Sequence, residues 1–499
     1  MTYLIHPLDR LGQQAAFNFI LNSKKKYIII NAPTGSGKSA WAAEMSKNYR
    51  TLVLTEHKSL QSANYRDQYQ FDILYGKSNY PCNDEQRKKL HWTCFDCGNR
   101  DCQCPYNLAE MNCLKSSRVS LNYAKFLMSK DFVDGYSPEI LFLDEGHNAP
   151  DIVTEHIGFS LEWKNEFIKY LSPPKPMRLT FSEAMHIFKQ CLGALEKNKP
   201  KRPDIDSNLS QKGVKYAMEK WRKWKHLKQK LEVTAILLEK GEPLDWYFEA
   251  EKEKLIVKPL TAKYRFQRMF DVANKIVLMS ATIKPSIAEE LGIGENEYDY
   301  YEVPHIWPAP LRLVHDLGCP RMNWESTDYD KGKQAEMIAK FLSRLASGII
   351  HVSSKMQAAE LKERLTYHGF NIWLPPEGYG TDEQLQAWYR ARQAKMYCIS
   401  WNFHEGVDLG DDIYNIIAKV PYANIGSGYE YAKMEYNQQA YLERAAYRLE
   451  QASGRNRRGK PEHYQPGARF VAVADGGWHR LKSLLSVEYV KSIRRWNGK

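Results

Sequence analysis

The stretch Tyr27–Met45, YIIINAPTGSGKSAWAAEM, constrains the fold more than any other part of the chain. Ile28 to Ile30 make an apolar run suited to a buried strand. Ala32 to Ser39 follow as a glycine-containing loop, and from Ala40 the pattern turns helical. Strand, glycine loop and helix in that order form the context a phosphate-binding loop requires. Gly35 and Gly37 let backbone N–H groups point inward at phosphate oxygens. The expected nucleotide contacts run through Thr34, Gly35, Ser36, Gly37, Lys38 and Ser39. Lys38 reaches the β- and γ-phosphates, and the Ser39 hydroxyl ligates magnesium. Ala32 stands where the usual pattern has its first glycine. Alanine is small enough to keep the loop.

A strand ending in acid supplies the partner. In EILFLDEGHN, Ile140 to Leu143 are apolar, with Asp144 and Glu145 at the strand's end. An aspartate placed there holds magnesium, and a glutamate orients the attacking water. His147 follows at a spacing that would link the nucleotide site to the rest of the machine.

Composition bounds the remainder. The chain has 499 residues, long for a single core, so two or three domains are expected. An apolar fraction of 43% and an aromatic fraction of 12% are those of a globular protein. No run of about 18 apolar residues predicts a membrane span. MTYLIHPLDRLGQQ lacks the layout of a signal peptide, so an intracellular, cytoplasmic location is expected. The formal net charge of +12 and pI of about 9.0 suit a polyanionic partner. Six of the nine cysteines crowd into Ser78–Cys113. In a reducing compartment such crowding points to a metal or redox site before disulfides.

Further along, KIVLMSATI (Lys275–Ile283) looks like helicase motif III, WNFHEGVDLGDD like motif V with Asp408, and QASGRNRRG like motif VI with Gln451, Gly454, Arg455 and Arg458 in register. GIIHVSS, MYCIS, YNIIAKV and RFVAVAD read as strands of a second parallel sheet. The ordered set resembles a superfamily 2 helicase. LYGKSNYPC is similar to the entry into the iron–sulfur segment of the XPD/DinG helicases, CPYNLAE resembles its exit, and RVSLNYAKFL resembles that family's return into the motor domain. In RLGQQ, Arg10 and Gln13 fall where that family contacts adenine.

The resemblance implies an α/β chain with two RecA-like doubly wound parallel-sheet motor domains. The first would occupy residues 1–75, 116–150 and 255–300, interrupted by a cysteine-rich insert at 76–115 and a short helical arch-like insert at 151–254. The second would occupy 301–499. It implies ATP as substrate and Mg2+ and a [4Fe-4S] cluster as cofactors. Lys38, Asp144, Glu145, Gln451, Arg455 and Arg458 would act in hydrolysis, with the two arginines as fingers on the γ-phosphate. The cluster would take Cys82, Cys94, Cys97 and Cys104, with Cys102 as the alternative to Cys104. Zinc on Cys94, Cys97, Cys102 and Cys104 is the rival. Cys113 reads as one face of the following helix. Implied partners are single-stranded and forked DNA, and RNA–DNA hybrids, in a DNA-repair setting, with the chain as a monomer moving 5′ to 3′. An ATPase that remodels nucleic acid without unwinding it, or an RNA helicase, are the other readings.

Lys212–Lys230 is basic with Trp221 and Trp224 interleaved, which suits single strands. Met218, Trp221 and Trp224 also follow helical spacing, and the preferred reading places the tryptophans against their own core. DWYFEAEKEKLIVKPLTAKYRFQRMF is expected as the return into the first motor domain.

Overall fold

The computed structural model describes the chain apart from residues 1–11, 34–35, 57, 59–60, 86–87, 89–91, 97–102, 173, 203–209, 241–245, 305–311, 343–345, 394, 404–408, 410–412, 457–469 and 499. Arg10, Thr34, Gly35, Cys97, Cys102, Asp408 and Arg458 therefore lie outside the described residues.

The first part of the chain lays down β1 (Tyr27–Asn31), β2 (Thr51–Thr55), β3 (Asp72–Ile73), β4 (Arg118–Asn122) and β5 (Ile140–Asp144). The chain then leaves this sheet and builds β6 (Phe159–Glu162), β7 (Met177–Arg178), β8 (Trp246–Ala250) and β9 (Lys254–Pro259). It returns with β10 (Lys275–Ser280) and β11 (Tyr298–Glu302). The first sheet is parallel throughout, in the order β11-β1-β10-β5-β2-β4-β3. Every residue of β1, β2 and β5 is buried, as expected of strands covered on both faces by helices. β11 ends at Glu302, two residues past the boundary expected at 300.

The second sheet contains β12 (Val314–Asp316), β13 (Gly348–His351), β14 (Asn371–Trp373), β15 (Met396–Ser400), β16 (Tyr414–Ile417), β17 (Phe470–Val473) and β18 (Ile493–Arg495). It too is parallel, in the order β14-β15-β13-β16-β17-β12-β18. The four strands read from the sequence as GIIHVSS, MYCIS, YNIIAKV and RFVAVAD are β13, β15, β16 and β17.

The region expected to be mostly helical is a mixed unit. The long helices Phe181–Lys197 and Gln211–Lys240 pack on an antiparallel sheet of order β6-β9-β8-β7. Of the run expected as the return into the first domain, Trp246–Pro259 forms the β8–β9 hairpin of this unit, and its last residues form the helix Lys263–Phe270, whose Phe266 and Phe270 pack in the core of the first sheet. The reason is alternation on two buried faces. Trp246, Phe248, Leu255 and Val257 face the helices, while Tyr247 and Ile256 face Tyr429 of the second domain. With both faces apolar, the period-2 signature vanishes from the sequence. Trp224 is buried in this core and donates its Nε1–H to the Leu195 carbonyl (2.8 Å), as the core reading of that tryptophan expected. Burial of such a ring contributes about 1.5–3 kcal/mol.

The two motor domains touch through a mixed ionic and polar interface. Asp151, on the helix that follows the acidic strand end, pairs with Lys433 and with Arg444 (3.4 Å), and Arg444 also holds Glu290 (2.5 Å). Ser286 bonds Glu443 and Lys284 bonds the Leu484 carbonyl, while the Tyr429 hydroxyl donates to the Pro259 carbonyl at the end of β9 in the antiparallel unit (2.9 Å). Among the described residues no helix is long and apolar enough to cross a membrane.

Candidate nucleotide cleft and cysteine module

The phosphate loop follows β1 directly. Gly37 caps the helix Lys38–Met45 with φ +79, a backbone state that glycine adopts without strain. Lys38 Nζ lies 3.3 Å from the Ala32 carbonyl, held over the loop it would serve. Gln13 is buried, and its amide donates to the Gly37 carbonyl (3.1 Å). Its main-chain carbonyl accepts from Trp41 Nε1–H (3.1 Å), so Gln13 fastens the preceding helix to the loop.

Opposite stands the end of β5. The buried Tyr65 hydroxyl donates to Asp144 Oδ2 (2.9 Å) and contacts Ser39. Ser39 and Asp144 thus face one point. Tyr123 adds a bond from its hydroxyl to the Asp144 carbonyl (3.0 Å). Burial, with Glu145 beside it, pushes the Asp144 carboxyl up to about 6 against the pull of Lys38. Burial opposes the charge of Glu145 as well. There the His147 hydrogen bond and the Lys38 ammonium win, holding its carboxyl below the ordinary range. Enclosed carboxylates beside a serine hydroxyl form the hard oxygen set that suits Mg2+.

Glu145 has φ +51, a left-handed state unusual outside glycine and the kind of local strain that accumulates at working sites. Its Oε2 accepts from the Ser280 hydroxyl (3.0 Å), which leaves the serine oxygen to accept from His147 Nδ1–H (2.7 Å). His147 therefore does connect the acidic pair to the Ser-Ala-Thr turn. Two residues on, Thr282 Oγ1 accepts from Gln451 Nε2 of the second domain (3.4 Å). Between the domains lies a cleft of about 600 Å³, lined by Asn31, Pro33, Thr282, Gln451 and Gly454 among others. Arg455 follows the helix Gln438–Ser453 and is buried, with its carbonyl accepting from the Leu409 N–H (3.1 Å).

The cysteine module starts from a short antiparallel bridge. Pro81 pairs with Thr93, Cys82 N–H donates to the Trp92 carbonyl (3.0 Å), and Cys94 N–H donates to the Tyr80 carbonyl (3.0 Å). Cys82 and Cys94 each follow one member of this bridged pair. Cys104 caps the helix Pro105–Lys115, and its sulfur accepts from the Asn107 N–H (3.5 Å). Cys94 contacts Cys104 and the Tyr106 backbone, with Cys82 nearby, and burial pushes its thiol up to about 12. Cys82, Cys94 and Cys104 are all buried. The soft donor set fits an iron–sulfur cluster or zinc. Among the described residues no three His, Cys, Asp or Glu side chains close on a single metal-ion position. Cys113 lies in the motor core on the helix face, as expected, with its thiol also raised to about 12 by burial.

Comparison with known proteins agrees with this geometry. Residues 345–463 match the family model of a helicase C-terminal domain. A solved XPD helicase structure aligns over 99% of this chain and 100% of its own, at 14% identity and a TM-score of 0.60. Xpd4 of S. tokodaii aligns over 97% of this chain and 98% of its own, at 12% identity and a TM-score of 0.57. The chain shares the fold of these XPD structures. No curated protein sequence matches the chain.

The cleft is lined from the phosphate loop, the Ser-Ala-Thr turn and the Gln451–Gly454 segment, and Glu145 joins the Ser-Ala-Thr turn through Ser280. Sequence reasoning missed Tyr65 and Tyr123, which fix Asp144. Tyr65 sits in no quoted segment and Tyr123 falls within RVSLNYAKFL without being singled out; their signal is that a buried tyrosine needs an acceptor.

Proposed function

We propose that the chain is an ATP-driven helicase that moves 5′ to 3′ on single-stranded DNA and opens forked duplexes, with a [4Fe-4S] cluster in its cysteine module. The observation that carries the reading is the reach of Gln451 from the second domain to Thr282, beside the Glu145–Ser280–His147 chain. A group that crosses the cleft there senses whether the domains are closed. Lys38 neutralises phosphate charge, Glu145 orients water, and Arg455 with Arg458 stabilises the transition state. Ser39 and Asp144 would hold Mg2+, which would supply positive charge against the phosphates.

Cys82, Cys94 and Cys104, with Cys97 as the fourth, would hold the cluster, which would stiffen a module too poor in apolar residues to make its own core. The net charge of +12 supports a nucleic-acid partner. Direction rests on the two interruptions of the first motor domain, the arrangement of the 5′-to-3′ group it resembles.

The test uses anaerobically purified protein, ATP, Mg2+ and low salt. Forks with a 5′ tail should be unwound and forks with only a 3′ tail should not. The protein should absorb broadly in the visible and carry about four irons per chain. Unwinding from the 3′ tail alone overturns the direction, and colourless protein with one zinc overturns the cluster.

A further inference from the structure

The loop that carries two of the expected cluster ligands is held from outside. Asp96 sits between Cys94 and Cys97, and its side chain is fully shielded from solvent. One oxygen, Oδ2, accepts from the Thr93 N–H (2.8 Å) and the Thr93 hydroxyl (3.0 Å), closing the turn on itself. The charge is met from elsewhere. Arg222, on the helix Gln211–Lys240 of the second insert, donates Nε–H to Asp96 Oδ1 (2.6 Å) and Nη2–H to Oδ2. Arg202 donates to the Asp96 main-chain carbonyl. Around this fork, Lys225 lies over the Phe95 ring (4.8 Å), and Met218 with Trp221 packs against Cys82 and Trp92. One face of the basic helix is thus devoted to the cysteine module, while Trp224 serves the helix's own core.

We propose that Arg222 is a positioning residue for the cysteine loop: the docked insert holds Cys94 and the chain leading to Cys97 in ligating position, so metal retention depends on insert docking. The inference rests on the reading of these cysteines as metal ligands. A two-toothed guanidinium–carboxylate fork fixes orientation as well as charge. Without it, a shielded carboxylate would keep hydrogen bonds only from Thr93, with the Lys225 charge near but not bonded to it, and it would turn outward to find water, opening the turn that presents Cys94. Groups that hold ligands from behind commonly change metal affinity by about 10–100-fold. Linkage makes the dependence mutual, so metal in the module also favours docking of the insert.

The experiment uses the full chain, purified without oxygen, as wild type, Arg222→Ala and Arg222→Lys. Metal release to a chelator is followed by visible absorbance and by metal analysis. Hydrogen exchange of the Tyr80–Asp96 amides is measured on the metal-free chains. Arg222→Ala should release metal about 10–100-fold faster and exchange these amides faster. Arg222→Lys, which keeps the charge and loses the fork, should fall between, and it carries the test if the alanine variant does not fold. Asp96→Asn with Arg222→Ala should be no worse than the worse single variant, because the two act as one contact. Release within twofold of wild type with unchanged exchange overturns the proposal. If the wild type holds no metal, the ligand reading fails separately. Exchange then decides the clamp: faster in Arg222→Ala supports it, and no difference overturns it.

Discussion

Replacing Asp151 by asparagine should loosen the two motor domains from each other. Asp151 and Glu290, on the first domain, meet Lys433 and Arg444 on the second, two carboxylates against two cations. Burial opposes the charge on Asp151, yet Arg444 and Lys433 hold its carboxyl well below the usual range, so the pair is attractive on balance. The neutral amide would leave two cations facing Glu290, with Glu430 also near Arg444. Breaking a fully buried pair in this way costs about 3–5 kcal/mol. Asp151 keeps 38% of its side-chain surface, and solvent screening brings the cost toward that of an exposed pair. We place it at about 1–2 kcal/mol, between those limits. Since about 1.4 kcal/mol is tenfold, the ratio of closed to open domains should fall by about tenfold. Energy transfer between dyes on the two domains, read without nucleotide, measures that ratio. High salt should narrow the gap between variant and wild type. Equal transfer efficiency in the two proteins at low salt would refute the assignment of this cluster as the clasp.

Lys38→Ala should abolish ATP hydrolysis while DNA binding, measured by anisotropy, largely survives; hydrolysis within tenfold of wild type would remove Lys38 from the phosphate site. Arg455→Ala should lower kcat far more than it raises KM, as for a group acting mainly in the transition state, whereas a change in KM alone would make Arg455 a binding residue. Ser280→Ala removes the hydroxyl that joins Glu145 to His147, and DNA-stimulated ATPase should fall about tenfold, the effect of one lost hydrogen bond of about 1.5 kcal/mol. An unchanged stimulated rate would show that the chain of bonds carries no signal. Cys94→Ser should lose the visible colour of the protein and its unwinding, with some ATPase remaining, and Cys113→Ser should keep the colour, since Cys113 lies in the motor core.

The strands legible in the sequence were β1, β5, β13, β15, β16 and β17 of the two parallel sheets, because full burial writes them as short apolar runs. The phosphate loop and Asp144 stood out for the same reason, each placed just after such a run. The β8–β9 hairpin stayed hidden, since apolar side chains on both of its faces erase the alternation that marks an antiparallel strand. Asp96 and Arg222 lie far apart in the chain, and nothing local to either announces the other. Asp151 reads as an ordinary acid in the first turn of a helix, a position where acids are favoured for local reasons alone. Contacts of that kind belong to the assembled domains and leave no period to detect.

The place of β1 in its sheet has a consequence for the birth of the protein. The strand that carries the phosphate loop is flanked by β10 and β11, and both come from residues 275–302. A ribosome adds about 5–20 residues per second, so β1 waits roughly 10–50 s for its neighbours. During that time it has two open edges, each a template for wrong pairing. The cysteine module and the helix that clamps it both precede β10 in the chain. They can meet on the nascent polypeptide before the nucleotide site has a finished wall. The strand that leads into the glycine loop is the first of its sheet to be made and waits for the last two strands of that sheet to be secured.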